Sequence, residues 1–434
     1  MRHAMRVLMV GAVISACLGF AGSAVAATVC GSGCPFNSIQ SAINAAQPGA
    51  TISVGAGNYY ENLVINKPLV LKGAGTKTVV YPSVSNPACS PGSLCGGEAS
   101  NIILVEANNV TILSLFLRGD NPNLTSNVVV GGEDIDARNG IITNHLAGKY
   151  ENLKVAKVKV RGVYLRGLYA SSGGSFTFER DTVENVQAEP ASVAIFAFEG
   201  AGSMVANKVS EANDAISANW SEGIQFLNNK ISKSGSGVHT DNNGGSGGVA
   251  DVIKGNVVKE CTTDGYGVWV FVPYVSASVE GNRVTGCAVG LAAYGSAVSG
   301  QGPTFTSNVI NGTGATTSEN AGTYGAYLTT DQLGFEFGDL TATLTGNTFS
   351  HVTTGLFVTQ TSPTEGQPAG GQATVTAKPN NSFVADGTGA NGDTGTVVSA
   401  EENWWGCTTG PEGGGKCAPV QGTVTFTPWL TERP

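Results

Sequence analysis

The stretch "SGVHTDNN", residues 236–243, places His239 two positions before Asp241 among glycine and asparagine. On an extended strand two such side chains share one face. An imidazole beside a carboxylate is a general acid–base arrangement, because the carboxylate can tune and orient the ring. His239 is one of 4 histidines in 434 residues, which makes it the first candidate for chemistry. Its ordinary alternative is a solvated position on the outside of a structural coil. What decides between them is which residues the chain brings to the same face.

A recurring unit runs through the middle of the sequence: apolar–x–x–Asn–x–apolar, a short turn, then a glycine followed by a strand-like run. The asparagines are Asn207, Asn229, Asn256, Asn282, Asn308, Asn347 and Asn381, at spacings of 22, 27, 26, 26, 39 and 34. A period in the twenties without helix-forming composition indicates a β-solenoid, in which each strand pairs with its copy one coil on. Asparagine tolerates left-handed backbone and can bond to stacked copies of itself. The two longer spacings imply insertions, at 312–324 and 361–372; residues 82–100 form another excursion.

Composition agrees. The chain has 61 glycines, 13% charged residues and a formal net charge of −9. That suits a turn-rich β protein and disfavours a nucleic-acid binder, which needs a basic face. Arg2, Arg6 and an apolar run ending in Ala24-Val25-Ala26 read as an export signal over 1–26, with 27–434 as a single solenoid domain. No later segment has the length and apolarity of a membrane span. Eight cysteines follow the signal, and an exported chain would pair them as disulfides. The local pairs are Cys30–Cys34, Cys89–Cys95 and Cys407–Cys417. Cys261 and Cys287 each lie five residues after a repeat asparagine, so they fall at equivalent places in consecutive coils. A secreted or periplasmic location follows.

The ends need caps. "NSIQSAINAAQPG", 37–49, has helical spacing, so 27–50 reads as an N-terminal cap with one short helix. Coils then fill 51–400. Trp404, Trp405 and Trp429 mark 401–434 as a C-terminal cap.

These residues resemble the right-handed parallel β-helix proteins of the pectate-lyase-like superfamily. "IQSAINAAQPGATISVGAGNYYENLVINKPLVLKGAG" is similar to the first coils of that group, and "ENWWGCTTGP…FTPWL" to a common ending of its secreted bacterial members. The resemblance implies the fold. It does not specify an activity, since the group holds lyases, hydrolases, esterases, epimerases and adhesins. "HTD" (239–241) partly echoes the NTD of polygalacturonase-like enzymes. Their GHG and RIK motifs, the epimerase YGFDPH motif and a clear pectate-lyase aspartate cluster do not occur.

Aligning the coils on the glycine that opens one strand in each gives two outward columns. One runs through Ile142, Tyr164, Phe196, Ser217, His239, Trp269, Ala292, Tyr327 and Phe357. The other runs through Asn144, Arg166, Phe198, Asn219, Asp241, Phe271, Tyr294, Thr329 and Thr359. An aromatic row with polar neighbours suits a polysaccharide or oligosaccharide partner, since sugar rings stack on aromatic faces; loops folding over the row are the alternative. The expected catalytic residues are His239, Asp241 and Arg166, the arginine holding an acidic sugar. The expected substrate contacts are Tyr164, Phe196, Glu199, Asn219, Trp269, Phe271, Tyr294 and Tyr327. Asp214, Glu222 and Asp264 flank the same coils. No cofactor is expected; "GGEDIDARNG", 131–140, has oxygen ligands that could hold Ca²⁺, against a turn salt-bridged by Arg138. The alternating cations of "KVAKVKVRG", 154–162, read either as a polyanion site or as a solvated face. The expected function is cleavage or remodelling of a polysaccharide, by lyase or hydrolase chemistry. The alternative is a non-catalytic glycan-binding or surface protein. The sequence leaves oligomeric state open.

Overall fold

The computed structural model describes residues 27–242, 248–271, 275–296, 298, 300–314, 322–331, 338–360 and 370–434. The expected export signal and most of the loops at 312–324 and 361–372 lie outside the described residues. Within them the chain winds through three parallel sheets, of 15, 12 and 13 strands in coil order. They are called here the first, second and third sheets.

Each coil sends one apolar side chain inward from each sheet. In the first sheet Val155, Phe178, Met204, Phe226, Ile253, Val279 and Phe305 align. In the second, Val160, Val183, Val209, Ile231, Val258, Val284 and Ile310 align. In the third, Ile141, Leu168, Ile195, Ile216, Val238, Val268 and Leu291 align. All are buried in one continuous core, at roughly 1.5–3 kcal/mol per fully buried side chain. In the third sheet a glycine precedes most of these core residues, because the backbone there turns against the second sheet. A Cβ on Gly237 would lie 2.2 Å from the Gly267 carbonyl oxygen and 2.7 Å from Val258.

The repeat asparagines stand buried in the turn between the first and second sheets. The Asn229 N–H donates to Asn256 Oδ1 at 2.9 Å, and Asn229 Nδ2 donates to the same oxygen at 2.9 Å and to the Met204 carbonyl at 2.9 Å. The pattern repeats through Asn256, Asn282, Asn308, Asn347 and Asn381 to Asn403. At the other end the rung is Asp181, whose N–H donates to Asn207 Oδ1 and whose Oδ1 accepts from the Val158 N–H. Its Oδ2 is buried without a hydrogen-bond partner. Burial pushes the Asp181 carboxyl up to about 8, against the opposing Val158 N–H.

The helix expected over 37–49 forms over Ile39–Ala45 and buries Ile39, Ala42 and Ile43. Ser38 caps it, and so does Glu61 from the first coil, which accepts from the Ile39 and Gln40 N–H groups. At the far end Trp405 is fully buried and stacks on Phe383 at 4.7 Å. The four expected disulfides are present, including Cys261–Cys287 across consecutive coils.

The raised Asp181 pKa gives a stability test. A carboxyl raised on folding contributes fully below its unfolded pKa, and that contribution is lost as pH rises toward 8. Asp181→Asn restores the asparagine pattern. It should stabilise the fold by on the order of 1–3 kcal/mol at pH 7.5 and by little at pH 4 in denaturant titrations. Equal effects at both pH values would show that Asp181 is not held protonated.

Candidate functional site

The outer face of the third sheet carries three columns. The central one pairs Ile142, Tyr169, Phe196, Ser217, His239, Trp269, Ala292, Tyr327 and Phe357 in register. Ser171, Phe198, Asn219 and Asp241 align on one side. On the other side, Arg166, Val193, Asp214, Ser236, Tyr266, Val289 and Tyr324 align.

Two expected members are elsewhere. Tyr164 precedes the strand Arg166–Ser171 and hydrogen-bonds Glu189 at 3.0 Å; Tyr169 takes its place in the column. "GVYLRGLYA" offers two glycines. Gly162, with φ of 67°, is the turn residue, and Gly167 is the one that occupies the repeat position. Arg166 accordingly falls in the Asp214 column rather than beside Asp241, two coils before Asp214. Its NH1 donates to the Ala191 carbonyl, and its guanidinium lies over Phe196 at 4.8 Å. Burial lowers its pKa to about 10, partly opposed by Tyr169 and Asp214. Tyr164, Arg166, Arg138 and Glu189 line a separate cleft of about 320 Å³ against the 88–93 loop.

The polar centre is Asp214–His239–Asp241. His239 Nδ1 lies 3.2 Å from Asp214 Oδ2 and 3.1 Å from Ser217 Oγ. The ring stacks on Trp269 at 4.3 Å and 10°. Its Nε2 is buried with no hydrogen-bond partner. Burial opposes the imidazolium, but the Asp214 hydrogen bond and the charges of Asp214 and Asp241 outweigh it, so the pKa is raised. Asp241 is buried and its carboxyl is pushed up to about 7, by desolvation first and by Asp214; His239 and the Trp220 N–H oppose. That N–H donates to Asp241 Oδ1 at 2.6 Å, at a register shift between Asn219 and Ser221. The irregularity leaves the Trp220 side chain 48% exposed.

The aromatic row is real, but its ring faces are largely occupied by one another. Besides His239–Trp269, Tyr169 stacks on Phe196 at 4.9 Å and Tyr266 on Trp269 at 5.3 Å. Tyr294 and Tyr327 are buried; Trp269 and Phe271 are half-buried. Leu94, from the 82–100 excursion, packs on Ile142, Tyr169 and Phe196, so a loop does cover that end. Glu199 and Glu222 are exposed at turns, and Asp264 is half-buried.

The 131–140 cluster differs from the expected turn. Arg138 donates to the backbone carbonyls of Pro87, Gly92 and Ser93, pinning the 82–100 excursion. Glu133 pairs instead with Arg161 at 2.9 Å and Arg118 at 3.7 Å. The basic segment 154–162 forms two strands rather than one, Leu153–Ala156 in the first sheet and Lys159–Arg161 in the second; Lys154 pairs with Glu179 at 3.7 Å and Lys159 with Glu184 at 2.8 Å.

Sequence reasoning weighed Asp214 only as a flanking residue, and Ser217 only as a member of the column; it missed Tyr266 and Trp220. The signal for Asp214 and Tyr266 was present: each directly precedes the small residue that opens its strand, as Arg166 precedes Gly167. Trp220 follows from the local irregularity, which leaves no periodic trace.

Residues 139–310 match the family model described as the right-handed β-helix region. The chain is a right-handed parallel β-helix. The DFA-IIIase of Arthrobacter chlorophenolicus A6, solved without its lid and with GF2, is 13% identical, with 94% of this chain and 100% of that chain covered and a TM-score of 0.54. The polygalacturonase of Erwinia carotovora is 12% identical, over 92% and 97%, with a TM-score of 0.52. The catalytic unit of the GH87 α-1,3-glucanase of Streptomyces thermodiastaticus is 17% identical, over 90% of this β-helix and 65% of that unit, with a TM-score of 0.52. No curated protein matches the chain in sequence.

The site makes a direct prediction for His239. Asp214→Asn removes the hydrogen-bonded charge that opposes burial, so the imidazole pKa, followed by NMR of the ring, should fall. An unchanged value would remove Asp214 as its partner.

Proposed function

We propose that this β-helix acts on a polysaccharide at the outer face of its third sheet, with Asp241 and His239 as the proton-transfer pair. The observation that carries the reading is the Asp214–His239–Asp241 cluster on that face, in which His239 and Asp241 are buried and Asp214 is half-buried. Asp214 and Ser217 fix the Nδ1 side of the ring and leave Nε2 without a protein partner. A base oriented by a carboxylate, with its other nitrogen unused, has the form of an acid–base catalyst. Asp241, raised to about 7, keeps its proton near neutrality, which is what protonation of a glycosidic oxygen requires. Asp214 is the positioning residue.

Hydrolysis fits better than elimination. A lyase needs a cation on the uronate carboxylate beside its base, and Arg166 lies three coils from the coil that carries His239. Trp220, whose N–H holds Asp241 and which is 48% exposed, supports an aromatic contact with a sugar beside that carboxyl. The polysaccharide-acting proteins of the same fold support the substrate class. The four disulfides support an extracytoplasmic location, and no described helix is long and apolar enough to cross a membrane.

The test is a screen of purified protein on polysaccharides, following reducing ends and the absorbance of unsaturated products. Reducing ends without unsaturation are expected, with activity falling as pH rises through about 7. Asp241→Asn and His239→Ala should each lower kcat by about 10²–10⁴-fold with the circular dichroism unchanged, and Trp220→Ala should raise KM. Binding without product would make the protein a glycan-binding module. Full turnover in both variants would place the chemistry elsewhere.

A further inference from the structure

The outer face of the second sheet divides into two halves of different electrostatics. In the first half the cations are matched: Lys159 and Arg161 both reach Glu184, and Arg161 also reaches Glu133. In the next four coils the sheet presents Lys208, Lys230, Lys259 and Arg283, one cation per coil. All four are exposed, and none forms an ion pair within 4.0 Å among the described residues. Lys208 and Lys230 face each other directly across adjacent strands. Arg283 lies two coils on in the same column, with Val257 between, and Lys259 stands in the neighbouring column.

At the ~4.8 Å coil spacing these four charges span about 14 Å along the solenoid axis. Like charges set opposite one another on a sheet repel and destabilise it. Here they persist on a chain of net charge −9. They line a shallow groove of about 580 Å³ whose other walls include the hydroxyls of Thr182, Ser210 and Ser232, with Glu184 closing one end. A row of uncompensated cations flanked by hydroxyls complements an extended chain that carries both regular negative charge and hydroxyl groups.

We propose that this groove binds an anionic polysaccharide of the polyuronate class, laid along the axis on a different sheet from His239. Its hydroxyl-bearing walls favour a glycan over other polyanions, and among the residues lining the groove there is no aromatic side chain for stacking a nucleobase. The site would tether the protein to its polymer whatever takes place on the third sheet.

The experiment is affinity electrophoresis through gels containing polygalacturonate, a neutral β-glucan or single-stranded DNA, over a salt series. The full chain should be retarded by polygalacturonate at low salt and released as sodium chloride rises, since exposed charges are screened. The combined Lys208→Gln, Lys230→Gln, Lys259→Gln and Arg283→Gln variant should bind at least tenfold more weakly. The double variant Lys230→Gln, Arg283→Gln should fall between, which guards against misfolding of the fourfold one. Replacing the paired Lys149 and Lys254 should change nothing, and His239→Ala should bind as the unaltered chain does, separating this site from the proposed chemistry. Equal retardation of the fourfold variant would overturn the proposal. So would DNA bound as tightly as polygalacturonate, which would make the groove a general polyanion site.

Discussion

The hydrogen-bonded asparagine ladder is the constraint from which the rest of the structure follows. A solenoid coil must turn its backbone between the first and second sheets while burying that turn. Buried backbone N–H groups need acceptors. From Asn256 to Asn403 each asparagine oxygen receives the backbone N–H and the side-chain N–H of the preceding rung, and each donating Nδ2 also reaches a strand carbonyl. Every rung is therefore satisfied only by the next coil in correct register. The same register sets the three apolar columns, the Cys261–Cys287 bridge and the outer columns of the third sheet.

That register explains the chemistry of the candidate site. Asp214 and His239 are 25 residues apart and meet because their strands are neighbours in the third sheet. Stacking along the axis also packs the rings against each other, as His239 on Trp269 shows. Packing of that kind buries the polar groups among them. Desolvation then raises Asp241, and Asp214 and Asp241 together hold the imidazolium despite burial. The aromatic row thus acts first by creating a dry environment for His239 and Asp241. Trp220 meets that environment through its backbone N–H, which donates to Asp241, and is itself 48% exposed.

Much of this was legible in the chain because stacking converts period into position. The asparagine spacings marked the rungs, and two cysteines equally offset from them marked a bridge. The glycines and small residues opening strands placed Phe196, His239, Trp269 and Tyr327 in one column. The reading failed where the period was ambiguous. In "GVYLRGLYA" the choice of Gly162 over Gly167 moved Tyr164 and Arg166 out of their true places. Asp181 and Asn403 escaped the ladder because one is not an asparagine and the other lies in the closing segment. Glu61 as a helix cap and Arg138 as a loop anchor depend on long-range contacts that no local pattern encodes.

Native-state hydrogen exchange in Asn256→Ala tests the central claim most directly, because that side chain is the acceptor for the Asn229 N–H. The account predicts lost protection at the Asn229 amide, spreading into the strand Ser236–Asn242, while the Asn308 amide, held by Asn347 farther along the axis, stays protected. Undiminished protection of the Asn229 amide would contradict it, since the coils would then hold their register without the ladder.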